Sequence, residues 1–274
     1  MVQGLSILTN TGALTALEQL TRTNKKLNTT QLRITTGLKV TGPKDDAATY
    51  AIAQRLRGDI AGTNAVKIAL SNGEATVNVA ISAGKAIADL LTEMKAKIVQ
   101  ANQAGLDSAS RTALNNDFKA LRDQVESIVA TAAFNDKNLI EFSATNLLVL
   151  STVDGSTITV SAQKFDTSTL TLATLDLLTS AGASTALGSI ETAITRVADG
   201  LANLGSAAKR IDVQTDFTTS LVNILTEGLG NLVDADLAEE SAKLQSLQIQ
   251  QQLGVQSLAI ANAAPQTILS LFGG

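Results

Sequence analysis

The sequence predicts a mainly α-helical fold, in which both chain ends form a long antiparallel helical bundle or coiled coil. A small insertion containing a β-hairpin is expected at the tip of this bundle. Apolar residues recur at three- and four-residue steps at both ends and through the middle of the chain. The composition is 45% hydrophobic but only 3% aromatic. Such a composition suits helix-on-helix packing better than a ligand pocket, which is usually lined by aromatic side chains.

The C-terminal run, residues 236–272, has the clearest helical pattern. It is rich in Leu, Ala, Gln, Glu and Lys, which are good helix formers. Two tracks of seven-residue spacing follow it up to Pro265: Leu237, Leu244, Gln251 and Leu258 on one, and Leu247, Gly254 and Ala261 on the other. Further apolar residues, among them Leu253, Val255, Ile260 and Leu269, lie on other faces. A helix of this length therefore needs several neighbours.

The N-terminal segment provides one neighbour. A heptad pattern runs through its Leu17, Leu20, Asn24, Leu27, Gln31, Ile34 and Leu38. We expect the two terminal helices to pair through these seams, with Asn24 and Gln31 as buried amides that fix register or partner number. The apolar surface left outside such a pair predicts self-association. Eleven residues are accordingly predicted to pack subunits together: Leu17, Leu20, Asn24, Leu27, Gln31, Ile34, Leu237, Leu244, Leu247, Leu258 and Leu269.

Two glycine-containing breaks are predicted to separate the terminal helices from the middle of the chain. Gly37, Gly42 and Pro43 interrupt the first helical pattern, which resumes at Asp45 or Asp46. Gly228 and Gly230 form a matching break before the C-terminal run. We interpret both breaks as hinges.

The middle of the chain predicts long amphipathic helices with one β segment between them. Helical spacing covers residues 64–103, 111–133 and 186–225. Residues 147–153 and 156–160 predict a β-hairpin around a two-residue type I′ turn at Asp154-Gly155. Three domains follow from this pattern: a coiled coil of 1–36 and 234–274, a helical bundle of 37–137 and 186–233, and a short β-rich insertion of 138–185 at the tip.

The composition excludes several classes of function. The chain has no histidine and no cysteine, which removes Ser-His-Asp and Cys-His nucleophilic systems and the usual zinc ligands. A net charge of -4 and a pI of about 4.9 give no basic patch for nucleic acid. No signal peptide or membrane span is evident, so composition alone predicts a soluble cytoplasmic protein. We predict no catalytic, cofactor or metal site.

The acidic and glycine clusters have structural interpretations that we prefer to functional ones. Asp45 and Asp46 suit the first turn of a helix better than a metal site. The acidic residues between 234 and 240 lack the spacing of an EF-hand, and Gly228-Leu229-Gly230 lacks the third glycine of a dinucleotide loop. The Ser/Thr-rich insertion is interpreted as a solvated surface, with O-glycosylation as the alternative.

Residues 34–56 and 233–271 resemble the two ends of bacterial flagellin. The resemblance covers nearly the whole chain outside the insertion, although Thr35-Thr36 replaces the family's two serines and Gly42-Pro43 lies within its linker. The matching motifs are Asp45-Asp46-Ala47-Ala48, Asp234-Ala235-Asp236, Glu240-Ser241-Ala242, Ala261-Asn262 and Pro265-Gln266.

The resemblance implies a structural subunit that polymerises into the extracellular flagellar filament and serves swimming motility. In such a filament the coiled coil of 1–36 and 234–274 would form the inner tube and the bundle of 37–137 and 186–233 the outer tube, with the insertion of 138–185 facing solvent. It also implies self-assembly with the same or related flagellins, and secretion through the flagellar type III export apparatus with an export chaperone. Filament cap and junction proteins are implied as further partners, without nucleic acid or membrane insertion. The alternatives are a hook–filament junction protein of the same axial family and a free coiled-coil secreted effector. A zinc peptidase insertion is excluded because the chain lacks histidine.

The resemblance further concerns an innate immune receptor that recognises many flagellins through the helix matching residues 91–100. The recognised form has a basic residue at the position of Glu93 and an apolar residue at that of Lys97. Losing such contacts at hot-spot positions costs about 1–3 kcal/mol or more each. We therefore expect this chain to be recognised poorly.

Overall fold

The computed structural model describes residues 9–272, with side chains described from 9 to 263. The elements, in chain order, are α1 (Thr11–Thr36), α2 (Ala47–Ala101), α3 (Ser108–Thr131), β1 (Ala133–Phe134), β2 (Lys137–Asn138), β3 (Leu147–Leu150), β4 (Thr157–Val160), α4 (Ser180–Val233) and α5 (Leu237–Phe272). The predicted mainly α-helical class with a small hairpin-containing insertion is confirmed.

The chain divides into two compact units. Its two ends, Met1–Gly58 and Leu225–Gly274, make up one, which we call the terminal unit. Asp59–Ile224 makes up the other, the middle unit. The predicted three-domain division stays a prediction.

The middle unit has a continuous hydrophobic core between α2, α3 and α4. Aliphatic side chains dominate it, as the low aromatic content leads one to expect. Its fully buried members include Leu70, Ile87, Leu91, Met94, Ile98, Phe118, Val125, Ile190, Val197 and Leu204. A salt bridge of 3.1 Å between Lys95 and Glu191 joins α2 to α4 at the surface.

A buried arginine closes the connection between α2 and α3. Arg111 donates to the carbonyl oxygens of Ala101 and Gln103, at the C-terminal end of α2. These carbonyls have no partner inside their own helix, so the guanidinium satisfies them. Asp107 is the N-cap of α3, and its carboxylate accepts a hydrogen bond of 2.6 Å from the Ser110 backbone N–H.

The two hairpins differ from the sequence prediction in their turns. β3 pairs with β4 as expected, but its ladder ends at Leu150↔Thr157, and the chain reverses over the four residues 152–155. The two-residue turn predicted at Asp154-Gly155 is therefore wrong. A two-residue turn occurs instead at Asn135-Asp136 between β1 and β2, where φ is 49° and 60°. Asn and Asp tolerate this left-handed region, as a type I′ turn requires.

Much of the insertion is buried rather than solvated. Phe165 donates its backbone N–H to Ile140 O at 2.9 Å, and Gln163 donates to Leu139 O at 2.8 Å. The buried apolar residues of this segment join the core of the middle unit: Leu139, Ile140, Phe165, Leu170, Leu172 and Leu177. The interpretation of the whole segment as a solvated surface is wrong for these six residues. Sequence reasoning missed them because their spacing follows neither a helical nor a strand period.

The structure confirms the position of one predicted break and moves the other. The first lies where predicted: α1 ends at Thr36, and Gly37 caps it with φ 71°. The second is not at Gly228 and Gly230, which lie inside α4; that helix continues to Val233, and α5 begins at Leu237. Pro265 does not end α5, whose backbone is helical to Phe272.

Phe165 fits between two helical glycines of the middle unit. A Cβ atom added to Gly200 would lie 2.5 Å from Phe165 Cε1, and one added to Gly84 would lie 3.1 Å from Phe165 Cε2. The ring is 1% exposed, so it has no space into which to move. Glycine is required here for close approach, not for backbone freedom.

We expect Gly200→Ala to destabilise the middle unit by about 1–3 kcal/mol, because the methyl group overpacks the core against the Phe165 ring. Gly188→Ala is the matched control, since Gly188 also lies in α4 and a Cβ there meets nothing within 4 Å. It should be neutral or stabilise by about 0.5–1 kcal/mol through helix propensity. Urea unfolding followed by circular dichroism measures both, and equal stability of the two variants would contradict the packing argument.

Candidate functional site: the paired terminal helices

α1 and α5 pack along each other in antiparallel register. Three long-range hydrogen bonds fix it: Asn10 Nδ2 to Ala261 O at 2.7 Å, Gln251 Nε2 to Asn24 Oδ1 at 2.8 Å, and Arg33 Nη1 to Glu240 Oε1 at 3.0 Å. As the residue number rises along α1, that of its partner on α5 falls. The predicted pairing of the two chain ends is present, and its orientation is antiparallel.

The seam contains most of the residues predicted for it. Leu27 and Leu247 are buried, and Leu20 lies over Gly254, with its Cδ1 3.2 Å from the position of an added Cβ. Five more predicted positions are half-buried: Asn24, Ile34, Leu244, Gln251 and Leu258. Asn24 is one of the two predicted buried amides, and its partner is the amide of Gln251.

Three residues predicted for the seam lie outside it, and their predicted role in packing subunits together stays a prediction. Leu17, Gln31 and Leu237 are exposed on the outside of the pair. Thr23 and Thr30 are buried in the seam instead. They share the 3–4 spacing of Leu27, but threonine is not counted in an apolar pattern, so sequence reasoning missed them. Leu269 lies beyond the last side chain that the structure describes.

A large apolar surface remains on the outer faces of the pair. Ile260 is 72% exposed, which is unusual for an isoleucine in a closed fold. The exposed apolar residues of α1 and α5 are Leu14, Leu17, Leu32, Leu237, Ile249, Leu253, Val255 and Ile260. Because they lie on several faces, a single neighbouring helix cannot cover them.

A charged cluster joins the C-terminal half of α1 to the first turns of α5. The Glu240 side chain is 6% exposed and accepts from Arg33; Lys243 lies 2.7 Å from Glu239 and 3.5 Å from Glu240. Burial raises the pKa of Glu240, but the Arg33 hydrogen bond and the nearby charges of Lys243 and Arg33 outweigh it. The pKa of Glu240 is therefore below its ordinary value. The hydrogen bond to Glu239 similarly raises the pKa of Lys243.

The segment that joins α1 to α2 and the segment that joins α4 to α5 lie beside this cluster and are hydrogen-bonded to each other. Lys39 N donates to Val233 O at 2.6 Å, and Ala235 N donates to Gly37 O at 2.9 Å, so Leu38 and Asp234 form an antiparallel bridge. Gly42 and Pro43 lie in the open stretch that follows α1. The hinge function of these residues and of Gly228 and Gly230 stays a prediction.

The acidic pair has a structural role, but it lies just before α2 rather than in the first turn, where it was expected. Asp46 accepts from the backbone N–H groups of Ala48 and Thr49, at 3.0 and 3.1 Å, which caps the helix. Asp45 accepts from the hydroxyl and backbone N–H of Thr41. Hydrogen bonds from Thr49 and Thr41 lower the pKa values of Asp46 and Asp45, respectively.

The two positions expected to affect receptor recognition lie on α2. Glu93 is exposed, whereas Lys97 is half-buried and its Nζ lies 2.7 Å from Asp117 on α3. Lys97 is therefore held in an ion pair between two helices.

The described residues contain no group of three His, Cys, Asp or Glu side chains placed to hold a metal ion. Among the same residues, no helix is long and apolar enough to cross a membrane.

Comparison with known families and proteins gives a consistent result. The model of the bacterial flagellin N-terminal helical region matches residues 7–145, and that of the C-terminal helical region matches residues 187–272. The chain is 45% identical over 268 residues to flagellin FljK of Caulobacter vibrioides, covering 97% of this chain and 98% of the relative. It is 39% identical over 282 residues to a flagellin of Brucella melitensis, covering 98% and 99%.

Two solved structures share the fold. A flagellin of Bacillus cereus matches with a TM-score of 0.50 and 23% identity, covering 54% of this chain and 86% of that one. A putative flagellar hook-associated protein of Vibrio parahaemolyticus matches with a TM-score of 0.59 and 13% identity, covering 69% and 100%. At these identities the likeness concerns the fold alone.

The charged cluster predicts a pH dependence of the α1–α5 pair. Because the pKa of folded Glu240 lies below its ordinary value of 4.5, its carboxylate stabilises the pair above pH 4.5. That contribution is lost as pH falls through the lowered pKa. Glu240→Gln should lower the stability at pH 7 by about 1–3 kcal/mol and flatten its fall between pH 5 and 3.

Glu239→Gln is the control, because this substitution removes the same charge from the neighbouring position, which is exposed. Thermal unfolding of the terminal helices at several pH values, followed at 222 nm, measures the effect. An identical pH profile for the two variants would show that Glu240 has no special role in the pair.

Proposed function

The chain belongs to the bacterial flagellin family, and from this we propose that its paired terminal helices make the contacts that build the polymer. It is a structural subunit of the flagellar filament, an extracellular helical polymer that serves motility, and it assembles with itself and with related flagellins. The observation that supports our proposal is the apolar surface left uncovered on α1 and α5.

The physical reason is the free energy of burying that surface. A Leu, Ile or Val side chain contributes about 1.5–3 kcal/mol when it is fully buried rather than exposed. In a lone subunit the exposed leucines, isoleucines and valine of the terminal helices contribute almost nothing. Neighbouring copies that cover several faces of the pair recover this energy, which favours a polymer over a dimer.

We assign the layers of the filament according to the predicted domains. Residues 1–36 and 234–274 line the inner tube, residues 37–137 and 186–233 form the outer tube, and residues 138–185 face solvent. The outer-tube assignment is supported by the continuous core that the middle unit forms on its own, while residues such as Leu148 and Phe217 stay exposed at its surface.

The remaining partners follow from the family. The subunit is exported through the flagellar type III apparatus, held before export by a chaperone, and meets the cap and junction proteins in the growing filament. It is therefore secreted, and it has no enzymatic activity. Immunoblots of culture supernatant should lose the protein in a strain without the export apparatus, and its undiminished release there would contradict this route.

A hook–filament junction protein is not favoured. The likeness to a hook-associated protein is at 13% identity, whereas the flagellin relatives are up to 45% identical over nearly the whole chain.

We expect Ile260→Glu to prevent polymerisation, because it introduces a charge into the apolar surface of α5. Leu148→Glu is the matched control: Leu148 is 64% exposed on β3 in the middle unit, so both substitutions place a charge at an exposed apolar position. Electron microscopy and sedimentation after seeding with filament fragments measure the outcome. Filaments from Ile260→Glu at the wild-type yield would refute the role of the terminal helices.

We propose that two hinges let subunits differ slightly in the relative position of their layers. The hinge residues are Gly37, Gly42, Pro43, Gly228 and Gly230. Gly37 has φ 71°, whereas Gly228 lies in α4 and an added Cβ there meets nothing within 4 Å. A substitution at Gly228 therefore tests the flexibility of the helix without introducing steric strain. A softer segment is expected because glycine lowers helix propensity by about 1 kcal/mol.

Gly228→Ala should change filament curvature and swimming speed while monomer stability rises slightly. Gly205→Ala is the control, since it lies in the same helix and its added Cβ also has open space. Filament images and swimming tracks of both variants provide the comparison. If Gly228→Ala filaments keep the wild-type curvature, that glycine is a passive part of α4.

We propose that Glu93 and Lys97 weaken recognition by the innate immune receptor. Glu93→Arg with Lys97→Leu should increase receptor signalling by purified monomer at least tenfold, since each substitution restores about 1 kcal/mol or more. Removing Lys97 also frees Asp117, so Asp117→Asn alone is the control for the lost ion pair. A reporter-cell assay with equal signalling by all variants would disprove the proposal.

A further inference from the structure

We propose that a groove between α1 and α5 receives carboxylate side chains of a second copy of this chain. The proposal rests on the filament role given above and names one of its contacts. The groove has a volume of about 510 Å³, and its walls include Lys25, Lys26, Arg33, Glu240 and Lys243. It lies wholly within the terminal unit.

The charge of the groove is opposite to that of the rest of the molecule. Four cations and one carboxylate give it a net charge of +3, in a chain whose total is -4. The remainder of the chain therefore carries -7. Within the described residues, neither Lys25 nor Lys26 takes part in a salt bridge, and both side chains are exposed. A second copy thus offers the complementary charge.

Two buried polar atoms at the groove have no hydrogen-bond partner in the part of the chain that the structure describes. They are Arg33 Nε, a donor, and Glu240 Oε2, an acceptor. The contact between these two residues uses Arg33 Nη1 and Glu240 Oε1 instead. Buried polar groups are almost always paired, and a rotation of the Arg33 and Glu240 side chains toward a docked group would pair both atoms.

The chemistry of the two atoms restricts that partner. A carboxylate can accept from Arg33 Nε, and a neighbouring hydroxyl or amide N–H can donate to Glu240 Oε2. A polar protein segment that contains Asp or Glu supplies both, whereas an apolar peptide supplies neither. Leu32 and Ile249, which are exposed, directly precede the groove residues Arg33 and Gln250 in the sequence, so one docked subunit can cover both surfaces.

Removing two cations from the groove tests the electrostatic part. Lys25→Gln with Lys26→Gln should raise the critical concentration for seeded polymerisation about five- to tenfold at low salt. Lys39→Gln with Lys44→Gln is the control, because it makes the same change in net charge at exposed positions of the terminal unit outside the groove. It should change the critical concentration less than twofold.

The outcomes separate the two proposals. Wild-type chain that fails to extend filament seeds would refute the role of the terminal helices, and this inference with it. Normal wild-type assembly with equal effects of the two double variants would refute the groove alone, since only net charge would then matter.

A cross-link identifies the occupant directly. The chain has no cysteine, so Ser246→Cys, at the groove wall, can be labelled uniquely with a benzophenone maleimide. Filaments are assembled from a mixture of ¹⁵N-labelled and unlabelled chains, irradiated and analysed by mass spectrometry. Mixed-isotope cross-links to a peptide containing Asp or Glu support the inference. Cross-links only within one chain, or only to peptides without an acidic residue, overturn it.

Discussion

The structure depends on an imbalance between the apolar residues of the terminal helices and the neighbours available to them. α1 and α5 bury a narrow seam around Leu27 and Leu247, yet residues such as Ile249 and Ile260 remain exposed on other faces. A helix in a protein gains most of its stability from packing against neighbours rather than from propensity. Covering of these faces by other copies of the chain is the physical basis that we propose for the polymer.

The middle unit has the opposite character. Its core is closed by α2, α3, α4 and the buried part of the insertion, with Phe165 packed against Gly84 and Gly200. Such a core tolerates little change in volume, since interiors are close-packed. A rigid unit joined to an incompletely packed one suits a subunit that must fold alone and then assemble.

Polar interactions contribute register and specificity more than stability. Asn10, Asn24 and Arg33 each reach across to a defined residue of α5, so a shift of one helical turn would break all three contacts. In the same cluster, one buried oxygen of Glu240 has no hydrogen-bond partner among the residues that the structure describes. A site that is incomplete in the single chain gives an assembling surface a means to select its partner.

The sequence by itself determined the helical class, the pairing of the two ends and the break at Gly37, because each depends on local pattern or on backbone chemistry. It also determined the family, through motifs at both chain ends. Only the tertiary structure placed Thr23 and Thr30 in the seam and Leu17 outside it, since a heptad pattern specifies a face only to within one neighbouring position. Likewise, Gly228 stays helical in α4 because helix propensity is weak compared with the context of a 54-residue helix. Arg33, the partner of Glu240, is 207 residues away in the sequence. A local sequence pattern cannot predict a contact over that separation.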